Sequence, residues 1–234
     1  MRQIVLDTET TGLEPSQGHR IIEIGCVELI DRKLTGRHYH QYLQPDREID
    51  QGAMEVHGIT NEFLQDKPRF YQIVNSFLDF IGSAELVIHN APFDVGFLNH
   101  ELELLNNTDP DSLAASLKLA DRCAILDSLL LARKKHPGQK NNLDALCRRY
   151  EVDNSSRELH GALLDAEILA DVYLAMTGGQ TNLELVRGPV GGSSAQELDT
   201  TIARIPLPVI KASEAELKRH RSKCSRIGQK SDLW

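Results

Sequence analysis

Residues 3–12 read QIVLDTETTG, an apolar run that ends in two acids. Gln3 to Thr8 has the aliphatic make-up of a strand, and alternate side chains of a strand share a face. Asp7 and Glu9 therefore project together from its end. Taken alone, such a pair is an ordinary solvated strand end. Two further strands follow, Arg20 to Leu29 (RIIEIGCVEL) and Tyr39 to Leu43, and the short connections predict an antiparallel meander. After Pro45 the pattern turns helical at Asn61 to Leu64 and Arg69 to Ile81, before a short apolar strand from Glu85 to His89. A helix from Pro92 to Leu105, a strand from Cys123 to Asp127, helices over residues 128–135 and 142–150, and a last helix from Ala162 to Met176 complete the pattern. Strands first and strand-helix alternation later predict an α/β fold, a mixed β-sheet flanked by helices.

Two of these helices place an acid where a core residue belongs. In the first, Asp94 stands three and four residues before Phe97 and Leu98, and Leu102 and Leu105 continue that stripe. In the last, Asp165 heads the stripe Ile168, Leu169, Val172, Met176, while Glu167 and Asp171 take the polar face. Burying a lone carboxylate is costly unless it is paired, protonated or bound to a cation, and neither stripe carries a Lys or Arg. Like charges ~4 Å apart at an effective dielectric near 20 repel by roughly 4 kcal/mol. If Asp7, Glu9, Asp94 and Asp165 converge, divalent cations are the economical explanation, and an all-oxygen ligand set favours Mg2+ or Mn2+ over zinc. Four carboxylates suit a two-metal site acting on a phosphate ester.

His160 precedes Asp165 by five residues, which on a regular helix sets the two about 140° apart. His160 therefore belongs in the loop before the helix, with Gly161 giving that junction backbone freedom. An imidazole there is either structural or, beside the carboxylates, a base for the attacking water. Asp127 reads as the cap of the helix that begins at Ser128.

Composition narrows the setting. The chain of 234 residues carries a net charge of −8, but residues 201–234 hold eight basic and three acidic side chains, +5, which leaves −13 on residues 1–200. A body that acidic repels polyanions unless cations or a partner offset it. Cys26, Cys123, Cys147 and Cys224 form no CxxC pair, so reduced thiols are expected. No run approaches the ~18 apolar residues of a membrane span, and Met1-Arg2-Gln3 leads straight into the first strand, so a cytoplasmic location without membrane is expected. From Thr177 the texture becomes rich in Gly, Ser and Thr. The expected organisation is a folded domain over residues 1–176, a flexible linker over 177–200 and a basic tail over 201–234, with some helical pattern in SEAELKRHRSK.

The segments DTETTG (7–12), HNAPFD (89–94) and HGALLDA (160–166) closely resemble, in order and spacing, the three motifs of the DnaQ-like DEDDh exonuclease family. The similarity runs through residues 1–176, including VHGIT (56–60) and NNLDALCRRY (141–150), and is strongest to the proofreading members that serve bacterial replicative polymerases. The resemblance implies a ribonuclease H-like mixed sheet and 3'-to-5' removal of mispaired nucleotides from a DNA 3' terminus as 5'-mononucleotides. It implies that Asp7, Glu9, Asp94 and Asp165 hold two Mg2+ or Mn2+ ions, with His160 as general base. Thr10, Gly12 and Leu13 would receive the terminal nucleotide, Gly12 allowing close approach of the sugar; His57 would be a loop residue beside the base, and His89 and Phe93 the rim. Gln180, Leu183 and Leu185 match a sliding-clamp peptide of the Q-x-x-[LM]-x-F type, with Leu185 where the family has an aromatic. The basic tail ending in Trp234 would bind the DNA polymerase III alpha subunit, and a small theta-like subunit is a further partner of such proteins. Two other readings stand beside this one: a stand-alone RNA or DNA 3'-exonuclease of the same family, which has no need of linker and tail, and a non-catalytic scaffold, which gains nothing from clustered anions.

Overall fold

The computed structural model of the chain describes residues 1–108, 118–155, 157, 159–178 and 212–226. Gln180, Leu183, Leu185 and Trp234 lie outside them. Contacts divide the chain into two units, Met1–Leu183 and Glu184–Trp234.

The first unit is built on five strands: β1 (Arg2–Thr10), β2 (Ile21–Ile30), β3 (Lys33–Tyr42), β4 (Glu85–Ile88) and β5 (Ile125–Asp127). Their order in the sheet is β3-β2-β1-β4-β5, antiparallel across β3, β2 and β1 and parallel across β1, β4 and β5. This is the mixed sheet read from the sequence. The helices are α1 (Gln51–His57), α2 (Asn61–Leu64), α3 (Phe70–Ile81), α4 (Ala91–Thr108), α5 (Leu119–Arg122), α6 (Ser128–Lys135), α7 (Leu143–Tyr150) and α8 (Ala162–Thr177). Alternation along β1 sends Ile4 and Leu6 into a core with α3 and α4, and Val5 into a second core with α6, α7 and α8. Both helical stripes are buried as read: Phe97, Leu98, Leu102 and Leu105 on α4, and Ile168, Leu169, Val172 and Met176 on α8. Asp127 caps α6, its Oδ1 accepting from the Leu129 and Leu130 amides at 2.8 and 3.2 Å.

Three elements depart from expectation. β3 begins at Lys33, six residues before the expected Tyr39, because an edge strand with most side chains exposed shows no apolar alternation. The helices α1 and α5 were not foreseen: α1 buries only His57, and α5 is a single turn. Cys26, Cys123 and Cys147 are free and buried, and among the described residues no helix is long and apolar enough to cross a membrane. In the second unit, α9 (Glu214–Arg226) falls on the segment with helical pattern.

Gly25 fixes how closely α8 approaches the sheet. It pairs with Asp7 across β1 and β2, and a Cβ there would stand 2.2 Å from the backbone carbon of Ala162 and from the nitrogen of Leu163. The first turn of α8 therefore rests directly on β2, which brings Asp165 toward Asp7. Gly25→Ala is expected to cost about 1–3 kcal/mol in urea denaturation. Gly52→Ala, in a helix with no atom within 4 Å of the added carbon, is expected to be neutral or stabilising. Equal stability of the two variants would contradict this packing.

Candidate active site

β1 supplies two carboxylates on the α8 face of the sheet, Asp7 and Glu9, beyond Val5. Thr8 points to the other face, where its Oγ1 donates to Asp94 Oδ1 at 2.7 Å. Asp94 comes from the first turn of α4, so the positive end of that helix favours its anionic form. The helix is anchored by buried Glu101, which accepts from Arg20 Nε and Nη2 at 2.7 and 2.6 Å and from the Ile21 amide at 3.2 Å. Asp165 enters from the first turn of α8 and is 4% exposed. His160 stands in the loop before α8, its side chain 44% exposed, and its amide donates to the Val56 carbonyl at 3.1 Å. Asp7, Glu9, Asp94, His160 and Asp165 line one cleft of about 260 Å³.

An adjoining hollow of about 490 Å³ is lined by Thr10, Gly12, Leu13, His57 and Phe93. Five of the six residues expected beside a substrate thus share it. The sixth, His89, lines the carboxylate cleft, with Nδ1 against Ser128 Oγ at 2.9 Å. Two expectations are corrected, those for His57 and Gly161. His57 is not a loop residue: it is the buried last residue of α1, and its Nδ1 accepts from the Ile59 amide. Gly12 is needed at least for His19, whose ring Cε1 would lie 2.2 Å from a Cβ at that position. Gly161 has φ −151°, extended backbone open to other residues, so the turn into α8 does not depend on glycine.

The helical stripes carry no basic residue, yet Asp165 does have a counter-ion, Arg157, from the loop before α8. Arg157 Nε and Nη2 donate to Oδ1 and Oδ2 of Asp165 at 2.5 and 2.6 Å, and Nη1 donates to Asp144 Oδ1 at 2.6 Å. Nη2 also lies 3.0 Å from His160 Nδ1. A guanidinium keeps its protons, so Nδ1 is the acceptor in this contact. Arg157 and Asp144 escaped the sequence reading because a loop residue carries no periodicity and an acid in the first turn of a helix reads as an ordinary polar position. The only signal was a basic side chain three residues before His160.

Three carboxyls are pushed toward the protonated form. Burial, then the charges of Asp94, Glu9 and Asp165, raises Asp7 well above the carboxylate range, against some relief from Arg157. Burial, then Asp165 and Glu23, raises Glu9 to about 8; Glu23 is its cross-strand partner. Burial raises Asp94 to about 7 despite the Thr8 hydrogen bond. Such a set fits a hard divalent cation, which offers oxygen ligands the charge they lack. Ligand atoms of Glu9, His160 and Asp165 already lie within 4.8 Å of one another.

These shifts make the chain's stability depend on pH. Unfolded, the carboxyls ionise near pH ~4. Folded, Glu9 at about 8 and Asp94 at about 7 retain protons through the interval between, so stability falls as pH rises across it. In EDTA the unfolding temperature is expected to drop between about pH 5 and about pH 8, and Glu9→Gln is expected to flatten the drop. A slope unchanged in that variant would contradict the assignment.

Comparison with known proteins shows the family. The sequence profile described as "Exonuclease" matches residues 4–173. The DNA polymerase III subunit epsilon of Salmonella typhimurium is 53% identical over 244 aligned positions, covering 100% of this chain and 97% of the relative. That of Escherichia coli is 50% identical with the same coverage. Among solved structures, exonuclease X in complex with 5'-overhanging duplex DNA superposes with a TM-score of 0.58 at 27% identity, covering 75% of this chain and 91% of that one. The nuclease domain of 3'hExo, a DEDDh family member bound to rAMP, shares the fold with a TM-score of 0.58 at 20% identity, covering 75% and 90%. With the profile spanning the residues that build the cleft, the chain belongs to the exonuclease family and is related to the epsilon subunits of bacterial DNA polymerase III.

Proposed function

We propose that the chain is the proofreading 3'-to-5' exonuclease of a bacterial replicative polymerase, removing mispaired nucleotides from a DNA 3' terminus in the cytoplasm. The observation that carries this reading is the meeting of Asp7, Glu9, Asp94 and Asp165 with His160 in one cleft beside a hollow of about 490 Å³. Two Mg2+ or Mn2+ ions held by the four carboxylates would stabilise charge on the attacking and leaving oxygens of the phosphodiester. His160 takes the proton of the attacking water, a role suited to a neutral imidazole on an exposed loop. Thr10, Gly12, Leu13 and His57 receive the terminal nucleoside in the adjoining hollow, and Phe93, on the wall common to both spaces, sets the scissile phosphate against the carboxylates. His89 supports the rim of the cleft.

The domain arrangement belongs to the same proposal. Residues 1–176 form the nuclease, 177–200 a linker that offers Gln180, Leu183 and Leu185 to a sliding clamp, and 201–234 a basic tail that offers Trp234 to the polymerase alpha subunit. A small theta-like subunit is a further partner in this proposal. The charge of −13 on residues 1–200 supports a nuclease that is handed a frayed 3' end by its polymerase, since it disfavours capture of DNA by the body alone.

The test is digestion of a 5'-labelled primer, paired or mispaired at its 3' end, by the purified chain. Stepwise shortening with release of 5'-mononucleotides in Mg2+, faster on the mispaired end and absent in EDTA, is the expected result. Internal cleavage, or an intact primer with folded protein, would overturn the proposal.

A further inference from the structure

Arg157 is the one cationic side chain that enters the carboxylate cleft among the described residues, and it is 8% exposed. It takes both oxygens of Asp165 and, with the same Nη2, the Nδ1 lone pair of His160. We infer that Arg157 competes with the divalent cation for Asp165, holding Asp165 and His160 paired until the cation displaces it. This rests on the reading of the four carboxylates as a cation site.

The geometry opposes a supporting role beside a bound ion. A residue that merely oriented Asp165 would need one carboxylate oxygen and would leave the other to the metal. Arg157 instead forms the two-pronged pair, the strongest and most directional arrangement open to a guanidinium. It cannot shed its charge to make room, so a second cation on the same carboxylate meets a fixed positive neighbour. It also occupies the nitrogen lone pair that a base requires. The contact with Asp144 gives the guanidinium somewhere to go: Nη1 is already held at 2.6 Å by a carboxylate whose side chain is 42% exposed, so the group can pivot on Asp144 toward the rim of the cleft. Arg157 is thus a positioning residue, acting through Asp165 and His160.

Competition and support predict opposite signs for metal affinity. Calorimetric titration of Mn2+ into the full chain is expected to give about tenfold tighter binding for Arg157→Gln than for wild type, because the ligand no longer has to be freed first. In EDTA the same variant is expected to unfold at a lower temperature, and in saturating Mg2+ the gap to wild type is expected to narrow. Arg157→Lys, which keeps the charge and loses the paired geometry, is expected to show a smaller gain in affinity, and it carries the test if Arg157→Gln does not fold without metal. Unchanged or weaker Mn2+ binding in the folded variant would overturn the inference while leaving the cation site standing. A wild-type chain that takes up no Mn2+ would overturn the cation-site reading itself.

Discussion

Asp7→Asn is expected to lower metal-dependent hydrolysis by about a thousandfold or more while raising the stability of the protein in EDTA. The two effects have one cause. Asp7 stands at the centre of the anionic cluster, raised by burial and by Asp94, Glu9 and Asp165 together. The amide keeps the shape and removes the charge, so the folded chain loses a repulsive, desolvated carboxylate and gains stability. The same change removes a ligand from a site expected to supply several kcal/mol of charge stabilisation in the transition state, and each ~1.4 kcal/mol is tenfold in rate. Activity within tenfold of wild type would contradict the site. So would a loss of activity that tracks a loss of fold, because the residue would then be structural.

His160→Ala is expected to cost about 10²- to 10⁴-fold in kcat, the range of a positioned general base, with the fold retained because the ring is half-exposed. The diagnostic is the shape of the rate profile. A base must be unprotonated to act, so wild-type kcat rises with pH on the acid side and then levels, and the variant should lack that limb. The variant should bind Mn2+ nearly as well as wild type if His160 is a base; a large drop in Mn2+ affinity would make it a ligand, which its proximity to Glu9 and Asp165 allows geometrically. An unchanged acid limb would remove His160 from the proton transfer.

The part of this site that was legible in the sequence is the part written in periodicity. Asp94 and Asp165 interrupt apolar stripes of 3.6-residue repeat, and both stripes are buried along their length. Asp7 and Glu9 stand two apart on a strand, and the shared face that this implies leads both into the cleft. What stayed hidden has no repeat to betray it. Arg157 meets Asp165 from a loop and Asp144 meets Arg157 from a helix N-terminus, contacts fixed by tertiary packing. The helix α1 carries Gly52 and a single buried side chain, so its sequence looks like a loop, yet it walls the hollow beside Glu9. What Gly12 and Gly25 pack against was equally opaque. Each is needed for a neighbour brought in by the fold, His19 in one case and the first turn of α8 in the other.

The most direct test of the central claim, that the converging carboxylates form a site for two divalent cations, is the stoichiometry of Mn2+ bound to the full chain in the presence of a 5'-mononucleotide. The expected result is two ions per chain for wild type and loss of that binding in the Asp7→Asn, Asp165→Asn double variant, which remains folded. Equal binding by wild type and the folded double variant would show that the cations lie elsewhere and would contradict the account.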